Sequence, residues 1–207
     1  ENVLLLVQTI QSKEDVVNCL FDNAATCSLI TKAAANRLNL VGESMKLAIT
    51  TVTGATTVES AVYHVPLVDN HNKTHFVKAL QVESISDDLA VIDVSGVKSL
   101  FSASIQNQWH HLASRPVGSL DLLIGIDHLS LHPVDLEKRD NTRVLTSLFG
   151  NGLILAGSHP SIKSKVVRLS EEVSSISSHS HAIVNRISIQ PLYEYFESDN
   201  MGIVPPK

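Results

Sequence analysis

The chain has 207 residues, of which 43% are hydrophobic and 18% are charged, and its formal net charge is −5. This length fits one ordinary domain with extra segments. The acidic balance and the lack of a Lys/Arg cluster argue against a nucleic-acid-binding surface, and no apolar run reaches the length of about 18 residues that a membrane-spanning helix needs. Cys19 and Cys27 are too few for a disulfide framework or a four-thiolate metal site, so we expect buried free thiols and a reducing compartment.

The first part of the chain reads as strand, strand, polar loop and helix. Val3–Ile10 and Val16–Phe21 are predicted strands, and the second is apolar at nearly every position, as in a strand covered on both faces. Asp22-Asn23-Ala24 ends it with turn-forming residues. Thr31 is suited to cap a helix predicted over Lys32–Leu38.

A long hairpin and a further strand are predicted next. Lys46–Val52 and Thr56–Val68 form the two arms of the hairpin, and Thr53-Gly54 is the turn signal between them. A strand through Phe76–Val82 follows after a polar turn. One face of the second arm, formed by Val58, Ser60, Val62 and His64, is partly polar, so we expect the hairpin to project from the body of the domain.

The most apolar short run comes later, where Leu122-Leu123-Ile124 is ended by Gly125. Before it, Trp109 to Leu112 has the character of a short helix end, with Trp109 as a core anchor. After it, Thr146–Leu155 predicts another β segment, interrupted by glycines. The many serines of Ser158–His181 indicate a flexible linker.

Two of these features together carry a resemblance to a known family. Phe21-Asp22-Asn23-Ala24-Ala25-Thr26, followed by Leu29-Ile30-Thr31, resembles the active-site segment of retropepsin-like aspartic peptidases. Leu122-Leu123-Ile124-Gly125-Ile126-Asp127 resembles their second hallmark, an apolar strand ending in glycine that packs behind the catalytic loop. The hairpin around Thr53-Gly54 occupies the place of their flap.

The resemblance is closest to the peptidase domain of BEL/Pao-type retrotransposon polyproteins. Thr146-Ser147-Leu148-Phe149-Gly150 and Leu153-Ile154-Leu155-Ala156-Gly157 resemble the segment that ends that domain. Tyr195-Phe196-Glu197-Ser198-Asp199-Asn200-Met201-Gly202-Ile203 resembles the connector that leads toward a reverse transcriptase. We therefore expect a peptidase domain over residues 1–157, and a Ser-rich linker with a short amphipathic connector over residues 158–207, within a longer polyprotein.

The resemblance implies a mostly β fold, a closed β-barrel of the acid protease type with one lobe per chain. A short helix would follow the catalytic loop and another would lie near the C-terminal part of the domain. The implied activity is that of an aspartic endopeptidase in polyprotein processing. It would act as a homodimer on a peptide or polyprotein, without a cofactor, a metal, direct nucleic-acid contact or a membrane. The implied location is cytoplasmic, with virus-like particles as one intracellular setting.

The resemblance also assigns roles to residues. Asp22 would be the catalytic carboxylate, and two copies of it would share one proton, because two close like charges do not both ionise cheaply. The other implied site residues are the active-site loop Asn23, Ala24, Ala25 and Thr26, the flap residues Val52, Thr53, Gly54 and Ala55, and the support behind the loop, Leu123, Ile124 and Gly125.

The sequence departs from the family at two positions. Asn23 stands where the family has Thr or Ser, whose hydroxyl braces the two catalytic loops across the dimer. Ala24 stands where the family has Gly, and its methyl group is a source of crowding or backbone strain. A catalytically degenerate domain that serves as a dimerisation or peptide-binding module is therefore the alternative.

Other polar residues have simpler interpretations. We expect Asp127 to cap the following helix. His128 and His132 are spaced to share a helix face, but two ligands make a weak metal site, so exposed or partner-contacting histidines are favoured. His71 and His75 have the same interpretation. A metal-binding module based on these pairs is a third, minor alternative.

Overall fold

The computed structural model describes residues 3–13, 15–51 and 54–164, and at 47–51 and 54–58 it describes the backbone alone. This part of the chain is mostly β, with a few short helices. Two 3-10 helices cover Ser95–Leu100 and Ile126–Leu131. The strands and α-helices are, in chain order, β1 (Val3–Leu4), β2 (Val7–Ser12), β3 (Asp15–Phe21), β4 (Ser28–Thr31), α1 (Lys32–Arg37), β5 (Glu43–Thr51), β6 (Gly54–Val68), β7 (Thr74–Val82), β8 (Ile92–Asp93), α2 (Ala103–Asn107), α3 (Trp109–Ala113), β9 (Leu122–Ile124), β10 (Val134–Arg139), β11 (Thr142–Thr146), β12 (Leu153–Ser158) and β13 (Lys163–Ser164).

The strands form open sheets. The largest has seven strands in the order β2-β3-β9-β4-β7-β6-β5, and a second has four in the order β1-β12-β11-β10. Strands β8 and β13 pair separately. The expected closed barrel is not formed by the described strands, because β1 and β10–β12 build their own sheet and leave β2 and β5 as the edges of the larger one.

Strand β3 shows how the sequence pattern becomes packing. It pairs antiparallel with β2, from Val7 opposite Leu20 to Ser12 opposite Asp15. The buried side chains alternate along it: Val17, Cys19 and Phe21. The prediction that both faces are covered was wrong, because Leu20 is only half-buried and Val16 on the other face is exposed.

Helix α1 begins where the sequence predicted. The Thr31 hydroxyl accepts a hydrogen bond from the Ala34 amide at 3.2 Å, which satisfies one of the free N–H groups of the first turn. In the last turn, Arg37 donates two hydrogen bonds to the buried Asp121 carboxylate, at 3.1 and 3.0 Å. Its Nε also donates to Asp15 at 2.7 Å. The helix is thereby tied to β3 and to the residue before β9.

The second sheet packs against the short helical segments. Trp109 lies in this core, as expected, and is 6% exposed. The other buried members of the cluster are Leu4, Val94, Val97, Phe101, Ile105, Leu112, Val144, Leu155 and Ile162. Within the described residues, no helix has the length and apolar character needed to cross a bilayer.

The chain divides into two units, one formed by residues 1–43 and 62–168 and the other including residues 44–61. In the second unit, β5 and the first part of β6 are long strands on either side of the predicted turn. Residues 158–164, assigned to the linker from sequence, belong to the first unit, because β12 continues to Ser158, Ile162 is buried and β13 pairs with β8. The rest of the predicted linker and connector lies outside the described residues.

The turn between β6 and β7 is organised by Asp69, which is 8% exposed. Its carboxylate accepts hydrogen bonds from the amides of His71 and Lys73 at 2.8 and 2.9 Å. The His75 Nε2 lies 2.8 Å from the other carboxylate oxygen. The hydrogen bond from His75 and those from the two amides hold the pKa of Asp69 at about 2, below its ordinary value of 3.8.

We predict that this turn makes folding acid-sensitive. A carboxyl whose pKa is lower in the folded than in the unfolded chain stabilises the fold above pH 3.8, and this contribution disappears as the pH falls toward 2. Asp69→Asn should therefore lower stability at pH 6 and flatten the loss of stability between pH 4 and pH 2. Urea unfolding at a series of pH values measures both effects. Asp88→Asn, at an exposed position, is the control, and an unchanged pH profile in Asp69→Asn would contradict the prediction.

Candidate active site

The two sequence features of the resemblance meet in the large sheet. Strand β9 lies between β3 and β4, parallel to β3 and antiparallel to β4. Phe21 is opposite Ile124, so Asp22 leaves β3 at the point where Gly125 leaves β9. The amide of Asp22 donates to the Ile124 carbonyl at 3.0 Å. Leu123, Ile124 and Gly125 therefore lie directly beside the loop that carries Asp22.

Gly125 is required by the closeness of this packing. A Cβ atom at this position would lie 2.8 Å from the carbonyl oxygen of Cys27 and 2.9 Å from that of Ala25. Both atoms belong to backbone, which moves less readily than a side chain. The next residue continues the contact, because the Ile126 amide donates to the Ala25 carbonyl at 2.9 Å.

The Asp22 side chain is held by its own loop. Its Oδ1 accepts a hydrogen bond from the Ala24 amide at 2.9 Å, and its carbonyl accepts one from the Ala25 amide at 3.3 Å. The residue is half-buried. Oδ2 has no hydrogen-bond partner among the described residues, so this oxygen remains free to contact a ligand or a second chain.

The loop residues after Asp22 point toward solvent. Asn23, Ala24 and Thr26 are exposed, and Ala25 is half-buried. Ala24 does not have a positive φ angle, so its backbone conformation is one that a residue with a side chain adopts easily. The backbone strain expected at Ala24 is therefore absent. The Ala24 amide donates to Asp22 as a glycine amide at this position would.

A cleft of about 370 Å³ opens beside Asp22. One wall comes from β3 through Leu20 and Phe21, and the chain segment of β1 forms another. Asp22 is the one acidic residue among those that line the cleft. Its full lining is Val3, Leu4, Leu5, Leu6, Leu20, Phe21, Asp22, Arg143, Ala156 and Gly157.

A buried polar cluster, not found from the sequence, fixes the other end of the loop. Ser28 is 1% exposed, and its hydroxyl donates to Asp127 Oδ1 at 2.8 Å and accepts from the Gly125 amide at 3.0 Å. The Ser28 amide donates to Asp127 Oδ2 at 2.9 Å. Asp127 therefore binds back to β4 and does not cap the 3-10 helix, so the predicted capping role was wrong.

His128 completes this cluster. Its Nδ1 lies 3.1 Å from the Ser28 hydroxyl and 3.2 Å from Asp127 Oδ1. Its Nε2 accepts from the Lys78 amide at 3.2 Å, which places the ring proton on Nδ1. Burial alone would raise the pKa of Asp127, but the hydrogen bonds from His128 and Ser28 outweigh it and the pKa lies below its usual range. No local sequence signal marks this cluster, because Ser28 and Asp127 are 99 residues apart in the chain.

The remaining predicted residues are placed as follows. Val52 and Thr53 lie outside the described residues, while Gly54 and Ala55 begin β6, so the flap role stays a prediction. His132 Nε2 lies 2.9 Å from the Gly125 carbonyl oxygen. In the described part of the chain, no three His, Cys, Asp or Glu residues cluster as metal ligands. Cys19 and Cys27 are buried free thiols, as expected, and burial raises the pKa of Cys27 to about 11.

Comparison with known proteins does not assign the chain to a family. No protein-family model matches it, and no curated protein matches it.

We predict that Gly125→Ala lowers the free energy of unfolding by about 1–3 kcal/mol, because its methyl group meets backbone oxygens on both sides. Chemical denaturation of the variant gives this value. Ser119→Ala, at an exposed position, is the comparison and should change the free energy of unfolding by less than about 0.5 kcal/mol. Equal losses in the two variants would contradict the packing argument.

We further predict that Ser28→Ala costs about 1–3 kcal/mol, because it leaves the buried Gly125 amide without its acceptor and removes the hydroxyl donor to Asp127 Oδ1. Ser130→Ala, at an exposed position, should change stability by less than about 0.5 kcal/mol. The hydrogen-exchange rate of the Gly125 amide should rise more than the rates of other buried amides, which separates loss of its bond to Ser28 from a general loss of stability. An unchanged exchange rate at Gly125 would count against the cluster.

Proposed function

We propose that this chain is a retropepsin-like aspartic endopeptidase domain whose active site is completed by a second copy of the chain. The position of Asp22 carries the proposal. Its carboxylate stands at the end of β3, beside the glycine that follows β9, with one oxygen unpaired among the described residues. The cleft beside it offers apolar walls from β1 and β3 to a peptide.

The chemistry needs two such carboxylates. One carboxylate takes a proton from water, whose oxygen attacks the peptide carbonyl carbon, while a carboxylic acid donates a proton to the carbonyl oxygen. The carboxyl that took the proton from water then passes it to the nitrogen while the other carboxylate takes a proton from the tetrahedral diol, so the C–N bond breaks and the pair returns to its starting state. Two neighbouring carboxyl groups remain half-protonated as a coupled pair, because the first charge disfavours the second.

A two-fold dimer supplies the second carboxylate, since Asp22 alone among the cleft residues is acidic. Exposed apolar side chains beside the site support this arrangement. Leu5 in the cleft wall is 43% exposed, and Ile126, which is bonded to the Asp22 loop, is 48% exposed. Exposed Asn23 has an amide that both donates and accepts, so it is suited to bind its own copy across the two-fold axis.

The proposed substrate is an extended peptide. The resemblance to BEL/Pao polyproteins favours a polyprotein as the source of that peptide. In the same proposal, the hairpin of β5 and β6 is the flap that binds peptide main chain. The alternative function is a dimerisation or peptide-binding module without catalysis. The specific observation in its favour is the replacement of the hydroxyl residue by Asn23.

We predict that Asp22→Asn reduces cleavage of a precursor or peptide by about 100-fold or more, because the amide neither accepts nor donates the required proton at mildly acidic pH. Cleavage is measured with purified wild type and variant side by side. Asp88→Asn, an exposed aspartate outside the cleft, should cleave like wild type.

Mixing the two forms tests the shared site. With free exchange of chains in an equal mixture, about one quarter of the dimers contain two wild-type copies. Activity should fall to about that fraction of the activity of an all-wild-type sample at the same total concentration. Cleavage by Asp22→Asn at the wild-type rate would contradict the proposed peptidase activity of Asp22. A silent wild type, together with cleavage by an Asn23→Thr/Ala24→Gly double variant, establishes the non-catalytic alternative.

A further inference from the structure

A half-buried arginine outside the Asp22 cleft has no acidic partner. Arg115 follows α3, and its Nη1 donates to the Leu155 carbonyl at 2.6 Å while its Nη2 donates to the Leu5 carbonyl at 2.9 Å. Both acceptors are neutral. No carboxylate in the described part of the chain pairs with this guanidinium, and burial lowers the pKa of Arg115 to about 10. The charge is therefore held in the protein without compensation.

Arg115 lines a cavity of about 220 Å³. No Asp or Glu is among the residues that line it, although the chain as a whole carries a net charge of −5. Polar side chains surround the same space, and those of Gln8 and Thr9 already donate to the Phe149 carbonyl and to Asn18 Oδ1. The polar lining residues are Gln8, Thr9, His111, Ser114, Arg115 and Asn151.

The donors of Arg115 are not used up by the two carbonyls. A guanidinium has further N–H groups in a fixed planar fork, and its Nε has no acceptor among the described residues. Trp109 Nε1 is the one fully buried side-chain nitrogen or oxygen in that part of the chain without a hydrogen-bond partner. The Arg115 Nε is therefore not sealed from solvent, and it remains available as a donor.

We propose that this cavity binds a small oxyanion, a carboxylate or a phosphate group, with Arg115 as its charged anchor and His111 and Asn151 as additional donors. A planar guanidinium matches the paired oxygens of such groups. The acid-free lining removes the repulsion that an anion meets elsewhere on this acidic protein. This proposal does not depend on peptide cleavage at Asp22.

Arg115 also has a structural role, which must be separated from ligand binding. Its two carbonyl contacts tie the chain at Leu5 to β12 at Leu155. Loss of the guanidinium would therefore disturb packing as well as the cavity. Asn151→Ala and His111→Ala are the better probes, because neither residue takes part in these two contacts.

The test is a titration of the full chain, followed by NMR, with inorganic phosphate and with acetate at constant ionic strength, and with chloride as the reference. We expect a saturable shift of the Arg115 Nε–H resonance with phosphate, with acetate or with both. Saturation by phosphate alone identifies a phosphate site, and saturation by acetate alone identifies a carboxylate site. Asn151→Ala and His111→Ala should each weaken the binding by about tenfold, as expected for loss of a hydrogen bond to a charged group.

Ser119→Ala is the matched control, since this exposed residue does not line the cavity. It should bind like wild type. Shifts that grow linearly without saturation for both anions, or binding that survives unchanged in both Asn151→Ala and His111→Ala, overturn the proposal. Arg115→Lys keeps a charge but loses the fork, so undiminished binding by that folded variant would also overturn it.

Discussion

A three-residue strand inserted between two others is the constraint on which the candidate site depends. Strand β9 pairs with β3 on one side and with β4 on the other, although about a hundred residues separate it in sequence from either. Asp22 reaches its position because β3 ends beside this insertion. The insertion is possible because Gly125 has no side chain to push against the carbonyl groups of the loop. The position of Asp22 thus depends more on the backbone contacts of β9 and Gly125 than on the residues of the Asp22 loop.

Two aspartates secure this short strand at its ends. Before it, Asp121 accepts a hydrogen bond from the Asn18 amide of β3 and pairs with Arg37. After it, Asp127 accepts one from the Ser28 amide of β4. Each carboxylate satisfies a backbone group that the three-residue ladder leaves without a strand partner. Both are mostly withdrawn from solvent, so loss of either would leave a buried polar group unpaired, which costs more than an exposed contact would.

Local patterns in the sequence predicted the elements near the site well. The Thr31 cap, the buried run before Gly125 and the core position of Trp109 depend on neighbours in the chain or on hydrophobicity alone. The open sheet and the cluster of Ser28, Asp127 and His128 were not predicted. They depend on which distant strands become neighbours, and a polar residue does not carry that information in its local sequence. Asp127 was misassigned for this reason, since a cap is the interpretation that local sequence favours.

Asn23 and Ala24, the two positions that differ from the retropepsin-like motif, have different consequences for the candidate site. Residue 24 binds the Asp22 carboxylate through its backbone amide, which alanine retains. The backbone at this residue does not need a positive φ angle. Position 23 contributes its side chain, which is exposed in a single chain and bonded to nothing in the described part of its own loop. In the proposed dimer, bracing of the two loops therefore depends on Asn23. An amide spans more distance than a hydroxyl and offers two donors with one acceptor, so a two-fold pair of Asn23 side chains can exchange hydrogen bonds, at a wider loop separation than a pair of hydroxyls.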